Sequence, residues 1–404
     1  MPTGIYPRPP IVADRLRWLA PHIDGFKTWL AQRGYTAVTI VEIVRLLSCW
    51  AEWARAAGFE FTTIEEGLTA SAGRYRGGRT ARAPCGAAKL FIFWLRAEGV
   101  LPPPWMPPSP SETWPLLGEF RRWIHEHRDV ADSTLDNWQY DIVALLRTLG
   151  DDPSAYTAVA IRRFVRRRAK RFCASRAKTI GVATRAFLRF LIARGQCPVG
   201  RDQAVPSFAN WQLAGLPRYL PAEDVERVIV ACGGERRLRD RAIVLLLGRL
   251  GMRAGEVANL KIADIDWRNG RLAIRSSKSK RAEWLPLTQE VGDAIIVYLK
   301  HARPRHRSEY LFLTEFAPIR STTRITVKCI VKRAILRAGV KSPNNGAHVL
   351  RHSAATAMLR HGVSLDGVRA VLRHTSTQIT MHYAKVDIGL LAEIAQPRLG
   401  SASC

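Results

Sequence analysis

The stretch "LPPPWMPPSPSETWP", residues 101–115, places seven prolines in fifteen positions. Proline fixes φ and has no N–H to donate, so a segment this dense in it reads as a stiff linker rather than helix or central strand. A second proline-punctuated stretch, "GQCPVGRDQAVPSFANWQLAGLP", spans 195–217. A chain of 404 residues is too long for one ordinary domain. The two breaks divide it into an N-terminal block (1–100), a linker (101–115), a middle block (116–195), a second linker (196–217), a C-terminal block (218–396) and a short tail (397–404).

The first two blocks share a plan. "IDGFKTWLAQRG" (23–34), "VTIVEIVRLLSCWAEWARAAG" (38–58) and "AAKLFIFWLRAEG" (87–99) carry apolar residues at helical spacing, each closed by glycine. "LGEFRRWIHEHR", "STLDNWQYDIVALLRTLG", "AVAIRRFVRRRAKRFCAS" and "AKTIGVATRAFLRFLIARG" repeat the pattern between the linkers. Phe26 and Trp29 match Phe120 and Trp123 at a separation of 94, and the ends "FWLRAEG" and "RFLIARG" lie 96 apart. This reads as a duplicated four-helix unit of about 95 residues; two unrelated helical blocks are the alternative.

Charge identifies the class of partner. Net charge is +28, the composition of a polyanion binder; solubility alone is the alternative, but an excess this large raises self-repulsion without helping the fold. Residues 216–404 hold 32 basic and 16 acidic side chains, net +16. Residues 161–194 contain twelve Lys or Arg and no Asp or Glu, while Phe164, Val165, Phe172, Phe187, Leu188 and Leu191 recur at helical intervals. That is a packed helix pair with one basic face, suited to tracking a phosphate backbone. Its DNA-binding candidates are Arg162, Arg163, Arg166, Arg167, Lys170, Arg171, Arg176, Lys178 and Arg185. A solvated charged face is the alternative, but such faces usually mix signs.

The seven cysteines, Cys49, Cys85, Cys173, Cys197, Cys232, Cys329 and Cys404, are scattered with no C-x-x-C. This argues against a disulfide framework or zinc site and fits a reducing cytoplasm. "MPTGIYPRPP" lacks an apolar signal core, and the longest apolar run, "AIVLLLG", is too short to span a bilayer. No membrane is expected as a partner.

After residue 217 the pattern turns mixed. "PAEDVERVIVAC" opens a helix with acidic residues in its first turn. "RDRAIVLLLGRLGMRAGEVANL" holds a buried helix, a turn at Gly251 and another helix start. "GRLAIRSS" and "AEWLPLT" read as a β-hairpin with the basic tip "KSKR", and "EYLFLT" as a further extended piece. From about 322 to 396 the sequence again reads as mostly helical.

Polar residues recur here in a fixed order. Arg253 lies in "GMRAGEVANL" with Glu256 three residues on, and Lys278 in "SKSKRAEWLPL". His348 and Arg351 form an H-x-x-R pair in "HVLRHSAAT", on one face if that segment is helical. His374 and Tyr383 come later, in "LRHTSTQITMHYAKV". Each signal alone is weak, but the order and spacing together resemble the tyrosine recombinases, or phage integrases. The resemblance covers about 217–395 and, more weakly, 110–195.

That resemblance implies a multi-domain fold: an all-α N-terminal region of two SAM-like four-helix units, then a mixed α+β catalytic domain, mostly helical with a small antiparallel sheet. It also implies the roles of the residues. Residues 116–195 would be the core-binding domain, with DNA between it and the catalytic domain. Tyr383 would attack a phosphodiester and hold the 3′ end as a phosphotyrosine. Arg253 and Arg351 would clamp the non-bridging oxygens, and Lys278 would protonate the leaving 5′ oxygen. His348 would assist proton transfer or bond a phosphate oxygen, and His374 would bond the same phosphate. Glu256 would orient a catalytic cation. The resemblance assigns no role to His352, which is expected to make a structural hydrogen bond. Lys280 and Arg281 would contact DNA; Lys278 is preferred as the acid because it lies eight residues before Pro286, as the family's lysine does. The sequence departs from the pattern at Arg373, where glycine is common, and at Ser277 and Ser279.

The chemistry is coherent by itself. Two guanidiniums can hold the charge of a pentacoordinate phosphorus, and a phenol needs nearby cations and a proton acceptor to attack near neutrality. No metal, ATP or other cofactor is expected. The partner would be double-stranded DNA at a specific site. The enzyme would act as a homo-tetramer on two duplexes, alone or with other recombinases of the same mobile element. Ile388, Leu391 and Ile394 could form a C-terminal helix docking in trans or in cis. A type IB topoisomerase and a catalytically silent DNA-binding regulator are the rival readings.

Overall fold

The computed structural model describes residues 14–71, 83–209, 218–275, 282–344, 346–373 and Tyr383. The chain divides into two compact units. One joins Met1–Pro103 to Leu216–Cys404, and the other is Pro104–Gly215.

In the N-terminal part of the first unit, α1 (Ala20–Gln32), α2 (Ala37–Ala56), α3 (Ile64–Ser71) and α4 (Pro84–Ala97) enclose their own core. Thr36 caps α2 by accepting from Thr39 N–H, a contact of about 1 kcal/mol. The second unit opens with α5 (Pro110–Thr113) and continues through α6 (Pro115–His127), α7 (Asp132–Leu149), α8 (Ala158–Ala169) and α9 (Ala174–Ala193).

The helix α5 corrects the expectation that 101–115 excludes helix. Pro110 occupies the first turn, where its missing N–H costs nothing, and Ser109 and Glu112 bond each other's backbone N–H groups in a capping box.

The two helical blocks bury equivalent aromatic clusters. Phe26 meets Phe91 edge-on at 5.1 Å and Trp94 at 5.6 Å. Phe120 meets Phe187 edge-on at 5.4 Å and Phe190 at 5.7 Å. The similarity of periodic segments is therefore also a similarity of packing.

The C-terminal part of the first unit is built on α11 (Leu238–Gly248), which is buried on every side from Ala242 to Gly248. Around it lie α10 (Ala222–Val230), α12 (Ala254–Asn259), α13 (Gln289–His301), α14 (Arg324–Arg337), α15 (His348–Arg360) and α16 (Leu365–Leu372). An antiparallel sheet runs β1 (Ile265–Asp266), β2 (Arg271–Arg275), β3 (Ala282–Pro286). The β2–β3 register pairs Leu272 with Leu285 and Ile274 with Glu283. The expected hairpin strands are present; its basic tip lies outside the described residues. "EYLFLT" contributes isolated bridges, Lys261 to Tyr310 and Leu313 to Ser321, rather than a strand.

Candidate functional site

The site grows from the turn between α11 and α12. Gly251 adopts φ 61°, strained for any side chain, and a Cβ there would force the end of the Leu372 side chain to shift, so glycine is favoured. Arg253 precedes α12 in extended conformation, and Glu256, three residues on, reaches back to it. Glu256 accepts from the Arg253 backbone N–H and from its Nη1, both at 2.8 Å. Arg253 Nη2 donates to the Arg373 carbonyl at 2.9 Å.

Arg373 closes this network from α16. It is the one non-glycine residue with positive φ among those described, at φ 54°, ψ 51°. Its side chain is 7% exposed and donates to Glu256 at 2.7 Å, with Glu283 on β3 at 3.6 Å. Burial pushes the Glu256 carboxyl up, but Arg373 and Arg253 outweigh it, so the net pKa lies below the ordinary value. Glu256 is therefore a fixed anion between two guanidiniums.

The H-x-x-R segment is helical: His348 opens α15 and Arg351 lies one turn in. Arg351 is 2% exposed. Its guanidinium donates to the carbonyls of Gly251 and Leu372. Two carbonyl dipoles thus receive the charge that the helix N-terminus disfavours. Burial, then the nearby Arg253, pulls its pKa down to about 10. His348 is pushed below its ordinary value by desolvation of the ring, Arg351 and Arg253, which leaves it neutral near pH 7.

Tyr383 lies in a small apolar cluster with Ala355, Leu359, Val368 and Leu372, against α15 and α16. It is 2% exposed. Burial pushes its phenol up to about 12 and Arg351 partly opposes the shift, so the hydroxyl is neutral. That hydroxyl is 2.6 Å from Nδ1 of His352. His352 packs its ring edge-on to His348 at 4.5 Å. The structural hydrogen bond expected of His352 is thus a bond to Tyr383 itself. The signal was its position one helical turn after His348 and next to Arg351.

Arg253, Glu256, His348, Arg351 and Tyr383 thus belong to one connected neighbourhood. Lys278, His374, Lys280 and Arg281 lie outside the described residues, as does the segment holding Ile388, Leu391 and Ile394. Of the two strands that flank this segment, β3 reaches the site through Glu283. Arg275, at the end of β2, pairs with buried Asp264 at 2.9 Å, and Glu283 faces Arg373. Among the described residues no group of three or more His, Cys, Asp or Glu could hold a metal.

The basic face of the second unit is only partly free. Arg162, Arg163, Arg166, Arg167, Lys170, Arg171 and Lys178 are exposed. Arg176 instead pairs at 2.8 Å with Asp141, a fully buried carboxylate that Arg168 also holds at 2.7 Å. Arg185 donates to the Val205 carbonyl at 3.0 Å. Charge periodicity could not show the Arg176 pairing, because Asp141 lies in α7, two helices earlier.

The neutral phenol of Tyr383, bonded to His352, and the buried guanidinium of Arg351 thus share α15 as their support. The phage integrase family profile matches residues 218–388. The putative integrase/recombinase y4rA of Sinorhizobium fredii is 33% identical over 95% of this chain and 95% of its own length. Tyrosine recombinase XerA of Pyrococcus furiosus is 29% identical over 70% of this chain and 93% of its own. Two solved structures share the fold. The XerH site-specific recombinase bound to palindromic difH substrate has TM-score 0.54 and 16% identity, covering 97% of this chain and 98% of that one. A lambda integrase dimer bound to a COC′ core site has TM-score 0.56 and 17% identity, covering 84% and 89%. The chain belongs to the phage integrase family of tyrosine recombinases, enzymes that cleave and rejoin DNA.

Proposed function

We propose that this recombinase cleaves one strand of a specific DNA site by attack of Tyr383 and keeps the bond energy as a 3′-phosphotyrosine. A 5′-hydroxyl from another strand then attacks and reseals. Arg253 and Arg351 hold the non-bridging oxygens, with Glu256 setting the angle of Arg253. Lys278 protonates the leaving 5′ oxygen. His348 and His374 bond the phosphate. Because the guanidiniums supply the charge and the phosphotyrosine conserves the ester, neither metal nor ATP is needed.

The observation that carries this reading is the Tyr383 hydroxyl bonded to His352 on α15, directly after the buried Arg351, whose charge bears on the phenol. It favours the enzyme over a silent regulator, because nothing in DNA binding alone calls for a buried phenol beside a buried guanidinium. The region 218–396 is the catalytic domain in this reading, 116–195 the core-binding domain, and 1–100 an added helical domain. The working form is a homo-tetramer on two duplexes. The setting is integration or excision of a mobile element in the cytoplasm; among the described residues no helix is long and apolar enough to cross a membrane.

A duplex nicked near the cleavage position tests the proposal. Wild type yields a covalent protein–DNA product, undiminished by EDTA, and Tyr383→Phe yields none. No product from wild type rejects the reading.

A further inference from the structure

We propose that His352 is the base that takes the proton of Tyr383 as the phenol attacks phosphorus. This rests on the tyrosine-nucleophile reading. The Tyr383 hydroxyl and His352 Nδ1 are 2.6 Å apart, inside the range of a nucleophile and its general base. The two rings lie 5.4 Å apart at 49°, so the contact joins the hydroxyl to the ring nitrogen rather than stacking the rings.

The local chain makes the pairing firm. His352 directly follows Arg351 in α15, so the helix that carries the buried guanidinium also carries the imidazole bonded to the phenol. The edge-on ring of His348, one turn earlier, packs against His352. Nδ1 can accept the phenolic proton when Nε2 carries the ring's own proton. Arg351 and Arg253 are donors only and cannot serve as acceptor. A phenol whose pKa burial has raised to about 12 has little anion at neutral pH, so attack calls for a proton acceptor in the transition state.

The step balances. The Tyr383 oxygen–phosphorus bond forms and the bond from phosphorus to the 5′ oxygen breaks. The phenolic proton passes to Nδ1, and the 5′ oxygen takes its proton from Lys278. On resealing, the imidazolium returns its proton to the departing phenol, so the same residue serves both directions.

The test uses the full chain and two nicked duplexes. One is ordinary; the other has sulfur in place of the bridging 5′ oxygen, a leaving group that needs no proton. His352→Asn keeps an acceptor near the Nδ1 position but has no basic nitrogen, and His352→Ala removes both. Each variant is expected to bind duplex and stay folded, melting below wild type because the buried Tyr383 hydroxyl loses its partner, and to cleave about 100-fold more slowly on both substrates. Lys278→Ala, by contrast, recovers on the sulfur substrate. The proposal is overturned if either folded variant cleaves within about threefold of wild type, or if sulfur restores its rate. Wild type failing to form any covalent product would instead sink the tyrosine reading, before a His352 variant is made.

Discussion

Glu256 shows how much one residue settles at this site. Its carboxylate, 11% exposed, answers two guanidiniums and one backbone N–H. Arg373 holds a left-handed conformation that costs a non-glycine residue about 1 kcal/mol or more, and its bond to Glu256 offsets that strain. Replacing Glu256 by Gln leaves two cations facing each other and should lower stability by about 1–3 kcal/mol. The pH dependence has a definite sign. The folded-state pKa of Glu256 lies below 4.5, so its contribution is complete above that value and is lost as pH falls through the lower, folded one. Melting temperatures of wild type and Glu256→Gln should differ by a constant amount near neutrality and converge in acid. A difference that persists undiminished in acid would show that the ion pairs are not its source.

At the scale of elements, α8 and α9 sort their cations into two kinds. Ile161, Phe164 and Val165 face the core, which turns Arg162, Arg163, Arg166 and Arg167 outward, while Arg168 and Arg176 fold back onto Asp141. Substituting the four outward arginines by Gln should weaken DNA binding across sequences. It should also flatten the salt dependence of log K by about 0.9 for each arginine that meets a phosphate. Arg176→Gln should act differently. It deprives a buried carboxylate of one partner and costs about 2 kcal/mol of stability, with little change in the salt slope. Binding isotherms at several salt concentrations, read beside thermal melts, separate the two. An Arg176 variant that changed only the slope would place that residue on the DNA.

Across the whole molecule, the N-terminal helices have a core of their own, yet they are tied to the C-terminal part of the first unit. The Ile319 N–H donates to the Arg33 carbonyl at 3.0 Å. Gly34, at φ 81°, lets the backbone turn there, and a Cβ on it would lie 2.6 Å from Ile319 Cγ1. Gly58 has a similar φ of 87° but open space around it. Gly58→Ala should therefore cost only the backbone term, about 1 kcal/mol. Gly34→Ala should cost more, and the excess should vanish in the Ile319→Ala background. Equal losses at the two glycines would show that this contact carries no energy.

The sequence by itself determined the chemical inventory. Apolar periodicity set the helices, the aromatic recurrence from Phe26 to Phe120 marked the paired units, and the order from Arg253 to Tyr383 carried the resemblance to the tyrosine recombinases. Those are properties of spacing along the chain, and spacing of three or four residues is read directly on a helix. Only the tertiary structure decided that Arg373 bridges Glu256 toward Glu283, that Asp141 withdraws Arg176 from the basic face, and that His352 meets Tyr383. These partners lie between 31 and 117 residues apart, the first and last separations being those of His352 with Tyr383 and Glu256 with Arg373. No periodicity reaches that far. Such meetings depend on how helices cross and on one residue held in a left-handed turn, which are consequences of packing.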